Sequence, residues 1–241
     1  VMQSVIEEKS SRVLEVVVSS VRPFELMMGK IFGVASVAVV QVLIWAVLVC
    51  GAGAAVMPHV LPDGAMEAAA ALQQGGGAAT AAAGDFDPET LGAIALATDV
   101  GYLAMLFGYL LLFVVGGYLL YSAMFAAVGS AVDNAQDAAQ LQTLIMIPII
   151  LAVIVEMSVL NDPNSPLAFW FSLIPFTSPV VMMARIPYGI PTWEIVLSLV
   201  LLYAAFVGMV WLSAKIYRVG IFMYGKKPTL REMFRWIRYK Y

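Results

Sequence analysis

Apolar and polar positions along this chain separate into whole segments rather than single turns. Four apolar runs, over residues 31–57, 102–128, 141–160 and 193–214, each reach the roughly 20 residues that a helix needs to cross a hydrocarbon core. Pro23 and Glu25 suit the first turn of the helix leading into the first run, since proline gives up no hydrogen bond there and a carboxylate favours the positive end of the helix dipole. Pro58-His59-Val60-Leu61-Pro62 ends that run, and residues 58–100 form a loop in which Gly75-Gly76-Gly77 predicts a flexible middle and the alanine tracts predict short helices. The second run carries Gly108, Gly116, Gly117, Ala123, Ala126, Ala127 and Gly129, small residues that let membrane helices approach closely. Pro148 predicts a kink in the third. Asn161-Asp162-Pro163-Asn164-Ser165-Pro166 predicts a turn after it.

A further apolar piece, residues 167–187, is long enough to count as a span, yet it contains Pro175 and Pro179 and closes on Arg185-Ile186-Pro187. The basic residues decide how to read it. Of 13 Lys and Arg residues, Lys9, Arg12, Arg22 and Lys30 stand at one end, and Lys215, Arg218, Lys226, Lys227, Arg231, Arg235, Arg238 and Lys240 at the other, leaving only Arg185 between. Short loops rich in Lys and Arg stay cytoplasmic. Residues 58–100 hold Asp63, Glu67, Asp85, Asp87, Glu89 and Asp99 with no Lys or Arg, and so belong outside. If residues 167–187 crossed, the basic tail would lie outside as well. They are therefore expected to form an external re-entrant hairpin, which is tolerated where protein covers the backbone. Thr192 is expected to cap the last span, with Glu194 in its first turn.

Composition agrees with this class. The chain has 241 residues, 62% hydrophobic and 12% charged, with a mean hydropathy of +0.90, whereas about a quarter of a soluble domain is charged. The expected fold is an all-α integral membrane protein. Four transmembrane helices make up residues 31–214, with an external loop at 58–100 and the external hairpin at 167–187. Residues 1–30 hold the end of a preceding span and a cytoplasmic helix, and 215–241 a basic cytoplasmic tail. In the tail, Thr229 and Glu232 form a capping box, and Leu230, Met233, Phe234 and Ile237 oppose Arg231, Arg235 and Arg238 as in a basic interfacial helix. The first residues, Val1-Met2-Gln3-Ser4-Val5, lack a start methionine or signal pattern, so a longer protein is expected. Cys50 lies in an apolar run with no second cysteine, which makes a buried free thiol the expectation.

The N-terminal segment from Ile6 to Arg22 is the one long charged stretch with helical patterning. Glu8, Arg12, Glu15, Ser19 and Arg22 fall on one side of a helix, and Ile6, Val13, Leu14, Val17 and Val21 on the other. Pairs such as Glu8–Arg12 add only a few tenths of a kcal/mol, so they define a face more than they stabilise it. Two uses remain open: lying on lipid headgroups, or docking into a partner's groove.

Candidate chemistry is sparse. Gly29-Lys30-Ile31 lacks the spacing of a phosphate loop. No Cys/His cluster and no Gly-x-Ser-x-Gly is present, and His59 is a loop residue without a histidine partner. No catalytic, cofactor or metal site is expected on the chain. Glu156 is a carboxylate within an expected span, close enough to its outer end to snorkel, and with Arg185 it forms a candidate intramembrane polar site. Arg185 itself is expected to touch lipid headgroups.

The blocks Glu7-Glu8-Lys9, Arg12, Glu15 and Pro23 to Gly29-Lys30 resemble the signature of ABC type-2 exporter permeases, the sodium-efflux permease-like branch in particular. So do Phe125-Ala126-Ala127-Val128-Gly129-Ser130 with Asp137-Ala138-Ala139-Gln140, Ile174-Pro175-Phe176-Thr177-Ser178-Pro179, and Arg218-Val219-Gly220-Ile221 with Tyr224-Gly225-Lys226-Lys227-Pro228. They stand in the family's order across nearly the whole chain. The resemblance implies that the first block is the cytoplasmic coupling helix, with Glu7, Glu8, Lys9, Arg12 and Glu15 meeting a separate ATPase subunit. It implies a dimer with a second permease copy or paralogue, ATP and Mg bound on the ATPase, and short external helices between the last two spans. Family members have six spans, so the chain would begin at the inner end of the second. Arg22 before Pro23, where the family often has Ser or Thr, and the Ala/Gly-rich loop depart from the pattern.

The expected function is thus the permease subunit of an ATP-driven exporter in the cell membrane, moving a sodium ion, drug or other small molecule by alternating access. Its expected partners are the ATPase, a second permease and lipid, with no nucleic acid. A secondary transporter would show inward mid-membrane charges and repeat symmetry, and a lipid-modifying enzyme a catalytic cluster at the interface.

Overall fold

The computed structural model describes residues 2, 6, 23–61, 64–73, 87–132 and 135–220. Among the described residues all regular structure is helical: α1 (Pro23–Val60), α2 (Ala65–Gln73), α3 (Pro88–Thr98), α4 (Val100–Ala131), α5 (Ala135–Val159), α6 (Pro166–Leu173), α7 (Ser178–Arg185), a 3-10 turn (Ile186–Tyr188) and α8 (Thr192–Gly220). Four segments are long and apolar enough to cross a membrane: Met28–Val60, Val100–Gly129, Gln136–Val159 and Thr192–Ile216. The expected all-α fold with four such helices is the one observed. The expected amphipathic helices, over residues 6–22 and from Thr229 onward, lie outside the described residues except for Ile6.

Some helix ends differ from those the sequence suggests. α1 runs through Pro58 to Val60, because a proline in the last turn removes a backbone donor without stopping the remaining carbonyls from being used: Leu61 N still donates to Met57 O at 3.0 Å. α5 begins at Ala135, ahead of its apolar run, and contains Pro148 within it. α8 continues beyond residue 214 to Gly220, with no breaking residue before that glycine.

Contacts divide the chain into two compact units, Val1–Val39 with Leu112–Tyr241, and Val40–Leu111. In the second, α2 and α3 pack through Ala65, Ala69 and Ile94, with Leu61 after α1 against them, and Gln73 Nε2 donates to Ala95 O and to Thr98 Oγ1 at 3.2 Å. Asp99 opens α4 by accepting from Gly101 N at 2.7 Å and Tyr102 N at 3.2 Å.

In the first unit the short helices α6 and α7 hold the long ones together. Ser165 caps α6, its Oγ accepting from Ala168 N at 3.2 Å, with Pro166 in the first turn. Pro175 then interrupts the helix, and Thr177 Oγ1 donates to Phe171 O at 2.6 Å, holding the chain through the break. Gly189, at φ 71°, takes the left-handed conformation that ends the 3-10 turn before α8. The core below consists of Ala152, Val155 and Val159 of α5 against Ala168 of α6 and Val181 of α7. Ala127 and Ala131 of α4 meet Ile216 of α8 in a second cluster. Small side chains dominate both contacts, as close packing within a membrane requires.

Candidate functional site

The most polar buried point among the described residues lies where α6, α7 and α8 converge. Arg185, at the end of α7, is only 2% exposed. Its Nε donates to Pro163 O at 2.8 Å, in the turn between α5 and α6. Its Nη1 donates to Ser172 Oγ of α6 at 2.7 Å and stands 2.9 Å from Glu194 Oε2 in the first turn of α8. Glu194 is 7% exposed. Its Oε2 has no well-aligned hydrogen bond among the described residues, so the Arg185–Glu194 contact is an ion pair by proximity rather than a directed bond. Ser198 Oγ of α8 donates to Ser172 O at 2.7 Å, making a second tie between α6 and α8. Arg185 and Ser198 thus reach α6 through the same serine.

Charges at this depth need partners, since an unpaired charge in low dielectric is expensive. Arg185 meets that need with its planar donor fork, which reaches several acceptors at once in a way no lysine ammonium matches. The carbonyl of Pro163 and the hydroxyl of Ser172 complete the shell.

α4 closes against the same helices from another side. Gly117 admits Pro179 of α7, and Gly116 admits Leu202 and Tyr203 of α8. Tyr121 donates its hydroxyl to Phe176 O at 2.6 Å, in the break between α6 and α7. Ser213 of α8 donates to Ala123 O at 2.6 Å. Beside these contacts a cavity of about 680 Å³ opens between α4, α5 and α7. Tyr118, Tyr121, Ser122, Phe125, Gln142 and Pro179 are among its lining residues, mostly apolar surface with a few hydroxyl and amide groups, the usual lining of a small-molecule site.

The residues expected from sequence fall in three places. Glu7, Glu8, Lys9, Arg12 and Glu15 lie outside the described residues. Glu156 is partly exposed on α5. Arg185 does not reach lipid headgroups as the sequence suggested: it is turned inward, and the carboxylate it meets is Glu194 rather than Glu156. Glu194 read in the sequence as a first-turn helix residue. The signal available there was its position nine residues after the one isolated basic residue of the interior, across a Pro/Gly-containing link. Among the described residues no three His, Cys, Asp or Glu side chains stand together as metal ligands would.

A family model described as ABC-2 family transporter protein matches residues 1–215. An uncharacterized protein of Methanocaldococcus jannaschii is 27% identical over 237 residues, covering 98% of this chain and 48% of that protein. The uncharacterized protein YhaP of Bacillus subtilis is 26% identical over 234 residues, covering 97% of this chain and 49% of its own length. The chain therefore spans about half the length of these curated relatives. No solved structure matches it.

Proposed function

The chain belongs to the ABC-2 transporter family, a multi-pass membrane protein on that ground and on its four apolar helices, and from this premise we propose that it is the permease part of an ATP-driven exporter. A separate ATPase subunit binds ATP and Mg, and its closure switches the permease between inward and outward access. The observation that carries this reading is the family match over residues 1–215. It acts as a dimer with a second permease copy or paralogue in the cell membrane.

Helix lengths support a topology with both ends cytoplasmic. α6 and α7 have 8 residues each, about 12 Å of helix against a core of about 30 Å, so each is too short to cross alone. Four crossings by α1, α4, α5 and α8 then return the chain to the side on which it started, and the basic residues of both ends assign that side to the cytoplasm. α6 and α7 lie at the outer interface. Exposed Trp170, Tyr188 and Trp193 near them fit the aromatic belt found at that depth, and Trp193 of α8 lies 6.3 Å from Phe169 of α6 between ring centroids.

Glu7, Glu8, Lys9, Arg12 and Glu15 form the coupling face toward the ATPase. The cavity between α4, α5 and α7 is of a size to take a small-molecule substrate. The test is to look beside the gene for a Walker-type ATPase, co-express it with the full permease, and follow with co-purification and an ATPase assay in proteoliposomes. Reversing the charges at Glu8 and Arg12 is expected to abolish permease-stimulated hydrolysis while membrane insertion stays normal. An ATPase that neither co-purifies with the wild-type permease nor responds to it overturns the reading.

A further inference from the structure

The Arg185 cluster has a geometry that stability alone does not account for. Replacing a buried ion pair by apolar side chains of similar volume is often neutral or stabilising, so packing gives no reason to retain charges here. What the guanidinium provides is reach. One side chain contacts the turn after α5 through Pro163, α6 through Ser172 and the start of α8 through Glu194. The contacts also differ in kind: those to Pro163 and Ser172 are directed hydrogen bonds at 2.8 Å and 2.7 Å, while Glu194 Oε2 is held by proximity to Nη1 without an aligned donor. The guanidinium is thus fixed to α6 and its preceding turn by direction, and to α8 by charge.

We propose that Arg185 and Glu194 are positioning residues that join the adjacent ends of α5 and α8 to the α6–α7 pair, so that these parts move as one body. Ser198, bonded to Ser172 O at 2.7 Å, ties the next turn of α8 to α6 directly. The joint itself follows from the geometry; its use in moving α6 and α7 during transport rests on the permease reading. Through it, a displacement of α8 reaches the α6–α7 pair without those helices having to repack.

The experiment places spin labels at residues 167 and 196, on α6 and α8, where Leu167 and Val196 are exposed, in the full transporter with its native cysteines, Cys50 included, replaced by serine, in nanodiscs. The tested variant is Arg185→Met/Glu194→Met, which removes both charges together and leaves neither unpaired. Expected are a melting temperature close to that of the parent, basal ATPase activity unchanged, and a widened 167–196 distance distribution both without nucleotide and with ATP and vanadate. Arg185→Lys, which keeps the charge, is expected to restore much of the narrow distribution. An unchanged distribution in the double Met variant overturns the proposal. So does widening that comes with a matching loss of melting temperature and ATPase activity, which would make the pair packing alone. If no ATPase assembles with the parent protein, the permease reading fails, and the nucleotide-free distributions still decide the joint.

Discussion

Pro179 of α7 packs on Gly117 of α4 so closely that a Cβ at residue 117 would stand 2.8 Å from the proline Cγ and 3.0 Å from its Cβ. Both partners are rigid, one a backbone and the other a ring, so neither can give way by changing rotamer. The contact seats the start of α7 on α4 next to the Tyr121–Phe176 hydrogen bond. Gly116, one residue before, meets instead side-chain atoms of Leu202, Cδ2 at 2.7 Å and Cγ at 3.1 Å, and Cζ of Tyr203 at 3.2 Å.

Gly117→Ala is therefore expected to cost more than Gly116→Ala. The rigid contact forces a helix displacement of the kind that costs about 1–3 kcal/mol on overpacking, whereas the side-chain ends of Leu202 and Tyr203 are expected to shift at smaller cost. Thermal unfolding of the two variants in the same detergent checks the order, and a larger loss for Gly116→Ala would refute the rigid-contact argument.

Tyr121→Phe removes the donor to Phe176 O, a carbonyl in the break where the helix supplies no partner. A loss of about 0.5–1.5 kcal/mol is expected, the usual net worth of one hydrogen bond. Tyr203→Phe, whose hydroxyl donates to Leu112 O at 3.0 Å in a more exposed position, is expected to lose less. The same unfolding assay reads both.

Arg185→Met alone leaves Glu194 buried and unpaired and is expected to destabilise by about 3–5 kcal/mol. Arg185→Met/Glu194→Met is expected to cost less than either single change, because no lone charge remains. A double-mutant cycle measures this coupling. Additive losses would mean that the two side chains do not share an ion pair.

The proposed crossings predict a labelling pattern. In a Cys50→Ser background, single cysteines at Met66 and Tyr188, both exposed, are expected to react with a membrane-impermeant maleimide in intact cells. A cysteine at Gln136, at the start of α5, is expected to react only after permeabilisation. The native Cys50 is exposed on the surface of α1 rather than buried as its apolar run suggested; because it lies within the Met28–Val60 span, it is expected to stay unlabelled by the charged reagent. Residues 66 and 188 reacting from opposite sides would show that the α6–α7 segment crosses.

Sequence alone was enough to locate the four long helices, because a run of about 20 apolar residues has no comparably stable place in water and satisfies its own backbone only as a helix in lipid. It also marked the interruption between α6 and α7, since Pro175 and Pro179 withhold backbone donors wherever they stand. The proposed coupling residues Glu7, Glu8, Lys9, Arg12 and Glu15 were legible as one charged face, and they lie outside the described residues. What local pattern did not carry was which residues meet. Gly117 was one of several small residues on α4, and only the approach of α7 singles it out for Pro179. Arg185 read as a surface cation because a single basic residue beside an apolar piece normally reaches for headgroups. It is buried because Pro163, Ser172 and Glu194, contributed by three different segments, arrive around it together. Hydrophobicity is a property each residue carries with it, so the spans were determined along the chain; an ion pair exists only between residues the fold has brought together, so the Arg185–Glu194 contact was decided by the tertiary structure.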